Sequence, residues 1–138
     1  MTRETLKRAC LAALDKVAIE HGVGHQGKLA ARYVLRGQDG TAIELMFEKG
    51  PNRPANLWMT QRAGQALVDQ GIRTRYSAAA ATNATLDANG KPRYGRHSAL
   101  KPMRQLAHAD LLCFTIEREM ELLRILDHLT GQGASQPA

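Results

Sequence analysis

Between Leu29 and Glu48 apolar side chains fall on alternate positions, and no other feature of the chain narrows its fold so far. Tyr33 and Leu35 share one face of a first extended segment. Ile43, Leu45 and Phe47 share one face of a second, with Glu44, Met46 and Glu48 on the other. A period of two belongs to a strand with one buried face. Gly37-Gln38-Asp39-Gly40 separates the segments, and glycine accepts the positive φ angles of a tight reversal. The spacing predicts an antiparallel hairpin whose outer face sets Arg32 and Arg36 opposite Glu44 and Glu48.

Helical periods flank this hairpin. Leu6, Cys10, Ala13, Leu14 and Val17 predict an amphipathic helix over 3–21, with Thr2 as N-cap and Gly22 and Gly24 as the stop. Leu122, Leu123, Leu126 and Leu129 predict a last helix over 117–129, where Glu117, Glu119 and Glu121 favour the positive end of the dipole. Between them, 56–60 and 110–116 read as buried strands, and 72–77 as a strand with Arg73 and Arg75 on one face. Residues 61–70 allow two or three helical turns, which Gly64 weakens. Residues 78–97 show no period; Asn89-Gly90 marks a turn and Pro92 blocks continuation of a strand. A short helix is expected next, with Pro102 in its first turn and Leu106 facing inward.

This order predicts an α+β fold: an antiparallel or mixed sheet of about five strands, with the N-terminal and C-terminal helices packed on one face. Residues 1–130 make one domain and 131–138 a disordered C-terminal tail, a division that suits a chain of 138 residues. The other face of the sheet is expected to be more polar and to gather Arg32, Arg36, Arg73 and Arg75. An exposed sheet edge leaves room for a homodimer.

Charge carries the functional reading. The net charge is +6, from 19 Lys+Arg against 13 Asp+Glu. Residues 73–104 hold Arg73, Arg75, Lys91, Arg93, Arg96, Lys101 and Arg104 against Asp87 alone, whereas 105–138 is acidic overall. A localised basic stripe is a footprint for an anionic partner. No apolar run approaches the ~18 residues of a membrane span, so no membrane partner is expected. The amphipathic start does not read as a secretory leader, and two cysteines make no disulfide framework. Those readings point to the cytoplasm.

Gly90-Lys91-Pro92-Arg93-Tyr94-Gly95-Arg96-His97-Ser98 is the segment richest in chemistry. Arginine donates bidentate bonds to phosphate or carboxylate, tyrosine stacks on unpaired bases, and Gly95 permits close approach of the main chain. Neither the Walker spacing nor G-x-G-x-x-G occurs in the chain. His97 is the candidate for proton transfer, with Ser98 or Tyr94 assisting and Asp110 or Glu44 orienting it. His21 and His25, or His108 and Asp110, lack the further ligands a metal needs, so neither metal nor cofactor is expected. Cys10, Cys113 and Trp58 read as core residues.

The chain therefore reads as a small basic binding module, not an enzyme. Its expected partner is RNA, single-stranded DNA or another polyanion, held through the Arg73/Arg75 strand and the Lys91–Lys101 loop. Arg73, Arg75, Lys91, Arg93, Arg96 and Lys101 would contact phosphates, and Tyr94 or His97 would stack or hydrogen-bond. Two alternatives stand beside it. One is an interaction or inhibitor protein of the phage or mobile-element type, which captures an acidic protein surface. The other is a metal-independent nuclease or hydrolase that uses His97 and Ser98.

Overall fold

The computed structural model describes residues 2–81 and 85–131. Helix α1 (Arg3–Val17) starts at Thr2, whose hydroxyl accepts the Thr5 N–H. It stops four residues before the predicted end. Ala18 turns extended, and Ile19–Glu20 leaves the helix as a short strand β1 paired with Val34 and Tyr33. Strand pairing takes over where the apolar stripe runs out. Lys7, off the apolar stripe of α1, is buried and donates to the Gly50 carbonyl.

Strands β2 (Ala30–Arg36) and β3 (Ala42–Glu48) form the expected hairpin, registered from Ala30 opposite Glu48 to Arg36 opposite Ala42. The cross-strand partner of Arg32 is thus Met46, not a glutamate. Strand β4 (Ala55–Thr60) leads into the single turn α2 (Gln61–Gly64) and a 3-10 turn over Gln65–Leu67. Strand β5 (Arg73–Ser77) follows. The stretch expected to be irregular holds a small ribbon, β6 (Thr85–Leu86) against β7 (Pro92–Arg93). Pro92 is the first residue of its two-residue strand, a place where a missing N–H is tolerated. No α-helix forms around Pro102. Ser98–Leu100 is one 3-10 turn and the chain continues in turns to Asp110, although Leu106 does point inward. Strand β8 (Leu111–Ile116) precedes α3 (Glu119–Thr130), which ends at Gly131 with φ of 79°. Beyond Gly131, the tail expected over 131–138 lies outside the described residues.

The main sheet has six antiparallel strands in the order β1-β2-β3-β4-β8-β5, so the fold is α+β with terminal helices, as predicted, and one strand more than expected. Strand β8 inserts between β4 and β5, leaving β1 and β5 at the edges. One face packs Tyr33, Leu35, Leu45, Phe47, Leu57, Leu112 and Phe114 against α1 and α3. On α3 it is Ile125, not the half-exposed Leu123, that completes the apolar stripe.

The second face overturns the expectation of a polar, solvated surface. Ala30, Met46, Trp58, Leu111 and Cys113 form a separate apolar cluster with Ala99, Leu100, Met103 and Leu106 of the segment that crosses over them. The charged residues there are buried because that segment supplies partners from far along the chain. Arg32 donates to the Ala99 and Gly24 carbonyls at 2.7 and 2.9 Å. Glu44 accepts from His21 at 2.6 Å and from the Gln105 N–H at 2.7 Å. A buried charge without such partners costs several kcal/mol, roughly. Strands β3 and β4 pair only at Met46–Trp58 and Phe47–Leu57. Beyond that point the Gln105 side-chain amide takes the missing strand's place, accepting from Glu44 N–H at 3.1 Å and donating to the Ala42 carbonyl at 2.9 Å.

Candidate functional site

A recess of about 290 Å³ opens beside the second cluster, lined by Glu48, Arg53, Trp58, Arg75, Tyr76, Ser77, Gly95, Arg96 and His97. It takes shape because alternation puts Glu48, Trp58 and Arg75 on one side of three different strands, while the chain after β7 returns across that side. Glu48 closes the floor. Its side chain is only 2% exposed, and its Oε2 accepts from Asn56 Nδ2 at 2.8 Å and Trp58 Nε1 at 2.9 Å. Asn56 is tied in turn to the Thr115 hydroxyl at 2.6 Å. The other oxygen, Oε1, accepts no hydrogen bond among the described residues; Arg53 Nε and His97 Nε2 each stand 3.7 Å from it.

His97 is held by the turn it begins. Its Nδ1 accepts the Ala99 N–H at 3.0 Å, which leaves the ring proton of the neutral form on Nε2, facing Glu48. Burial pushes the His97 pKa below its ordinary value; the Glu48 carboxylate opposes that shift, and Arg53 and Arg32 add to it. Arg75 Cζ stands over the Trp58 ring, 5.3 Å from its centroid, in a cation–π arrangement.

The predicted site residues separate into three groups. Arg75, Arg96 and His97 meet in the recess, and Arg73 stands on the same face of β5, its guanidinium exposed and 3.9 Å from Glu117. Lys91 and Arg93 are exposed on the ribbon, and Lys101 is exposed on the covering segment with Arg104. Tyr94 and Ser98 have structural partners. The Tyr94 hydroxyl donates to the Ala107 carbonyl at 2.9 Å with its ring edge-on to His108, and Ser98 Oγ accepts from Gln26 Nε2 at 2.9 Å. Arg96 is itself fully engaged, donating to Ser77 Oγ and O and to the carbonyls of Leu106 and Ala107 at 3.0–3.2 Å. It ties the covering segment to the edge strand.

Arg32 and Arg36 do not join this gathering. Arg32 lies under the covering segment, and Arg36 donates to the Gly40 carbonyl at the hairpin turn. The carboxylate before His97 is Glu48, and not Asp110 or Glu44. Asp110 accepts the Ala79 N–H at 2.7 Å, and Glu44 is held by His21 and Gln105. Sequence reasoning missed Glu48, Arg53, Trp58 and Tyr76. Glu48 was legible in part, since the same alternation that faces it outward puts Asn56 and Trp58, both donors, on that side of the next strand.

The chain matches no family model, no curated protein and no solved structure. Its chemistry is therefore read from its own geometry. Among the described residues no three His, Cys, Asp or Glu side chains gather as a metal site. His21 and His25 pair instead with Glu44 and Glu20. No helix among the described residues is long and apolar enough to cross a membrane. A larger open groove, about 1130 Å³, lies where β3 and β4 part. Its lining mixes Asp39 and Asp110 with Arg62 and His128 and includes none of the seven cations of 73–104.

Proposed function

We propose that the protein is a cytoplasmic, non-enzymatic binding module for a polyanion, with single-stranded nucleic acid as the partner. The observation that carries this reading is the meeting of Arg53, Arg75, Arg96 and His97 in one recess, with Arg73 beside it on the same strand face. The exposed Lys101 and Arg104 lie on the segment that covers this side of the sheet, and Tyr94, next to the ribbon of Lys91 and Arg93, packs into the second cluster. Arg73, Arg75, Lys91, Arg93 and Lys101 keep exposed charges for phosphates, whereas Arg96 serves by holding the surface together.

Two further features support binding over catalysis or self-pairing. The His97 ring presents a donor at Nε2 and its other nitrogen is occupied by a backbone N–H, which suits recognition better than proton abstraction. A homodimer through the free edge of β5 would bring arginines of two copies together, and like charges on paired edges disfavour that contact.

Anisotropy titrations of a labelled single-stranded oligonucleotide over a range of salt test this reading. If about five phosphates are neutralised, log affinity falls against log salt with a slope near −3.5. Changing Arg73 and Arg75 together to alanine should reduce the magnitude of that slope by about 1.4. A slope near zero overturns the reading.

A further inference from the structure

A recess built for phosphate alone would hold no carboxylate at its floor, because a buried negative charge repels the ligand it is meant to attract. Glu48 is such a carboxylate, and its placement is not incidental. One oxygen is fixed by Asn56 and Trp58, and this fixes the direction of the other, Oε1, toward the recess. His97 is oriented as rigidly by Ala99, so that a donor at Nε2 and an acceptor at Oε1 lie 3.7 Å apart without a hydrogen bond between them. A donor and an acceptor at that separation complement one group that is both: a hydroxyl. Its oxygen can sit about 2.8 Å from each, accepting from His97 and donating to Glu48.

We infer that the Glu48–His97 pair is a hydroxyl-reading subsite for the ribose 2′-OH, and that the partner of the basic surface is single-stranded RNA rather than DNA. The inference rests on the polyanion reading above and deepens it. Arg53, 3.7 Å from Glu48 Oε1, and Arg75 line the same recess and supply positive charge beside the pair, and the recess, at about 290 Å³, accommodates one sugar but no large cofactor. The 2′-OH is the group by which a protein distinguishes RNA from DNA at a given position. Trp58, capped by Arg75 and bonded to Glu48, acts as a positioning residue for the carboxylate and is not a stacking platform.

The test compares three oligonucleotides of one sequence with the native protein: single-stranded RNA, single-stranded DNA, and RNA methylated at every 2′-oxygen. Methylation keeps the acceptor and removes the donation to Glu48. RNA should bind about five- to tenfold more tightly than either of the others, the scale of one hydrogen-bonded hydroxyl. Glu48→Gln turns the acceptor that faces the recess into a donor and removes its negative charge, so it should abolish the preference of RNA over DNA, with affinity for DNA rising rather than falling. Equal affinity for all three by the native protein overturns the inference and leaves the polyanion reading standing. Binding of none of them overturns both. The comparison on the native chain decides the matter even if the Glu48 variant does not fold.

Discussion

A methyl group at Gly64 would meet Met59 Sδ at 2.9 Å, Phe114 Cε2 at 3.0 Å and Leu112 Cδ1 at 3.2 Å. Intrinsic propensity says that alanine should stabilise this short helix by about 0.5–1 kcal/mol. Overpacking a close contact costs about 1–3 kcal/mol, and here the obstacles are core side chains with little room to retreat. Packing should win, so Gly64→Ala is expected to lower Tm by a few degrees in a thermal melt, against the propensity rule. His97 makes the second prediction at this scale. Its pKa is lowered in the fold chiefly by burial, so on acidification the unfolded chain takes up its proton first, below about pH 6.5. The stability it supports is complete above that value and is lost as pH falls toward the folded pKa. Chemical denaturation from pH 7.5 to 5 should show this decline, and His97→Gln should flatten it.

At the level of elements, the segment from Ser98 to Ala109 determines both the second core and the recess. It has no helix or strand of its own beyond one 3-10 turn, so its order depends on apolar contacts and on side-chain bonds, those of Arg32, Glu44, Tyr94 and Gln105 and the four from Arg96. Arg96→Ala removes four donations to Ser77, Leu106 and Ala107 and should cost about 2–3 kcal/mol. Hydrogen exchange should quicken in 98–109 and at Ser77, while the amides of α1 and α3 stay protected. The hairpin, β4, β8 and both long helices were legible because their own apolar periods specify them. The cover was not, because turns have no period. The burial of Arg32, Glu44 and Glu48 depends on partners more than fifty positions away or on a neighbouring strand, which alternation alone does not disclose. In the site, Arg75, Arg96 and His97 were legible from charge and motif. Arg96 was read as a ligand-binding cation because sequence carries no sign of which guanidinium will meet carbonyls.

For the whole molecule, the sheet is a partition with one thiol on either side. Cys10 packs with the helices and Cys113 with the covering segment, each buried and each with its pKa pushed up to about 12 by burial. Reaction with a thiol reagent should therefore be slow and governed by opening of the fold. Cys113 should react faster than Cys10, since a segment without helix or strand opens more readily than two packed helices. Arg96→Ala should accelerate Cys113 selectively. Equal rates at the two positions would mean that both layers open only together.

The glutamine that stands where β4 has turned away from β3 is a stopper as well as a strut. Main-chain groups at Ala42 and Glu44 would otherwise invite an extended segment from another molecule into the gap. Defence of this seam against intermolecular strand addition is thus entrusted to one amide, on the same covering loop that closes the second core.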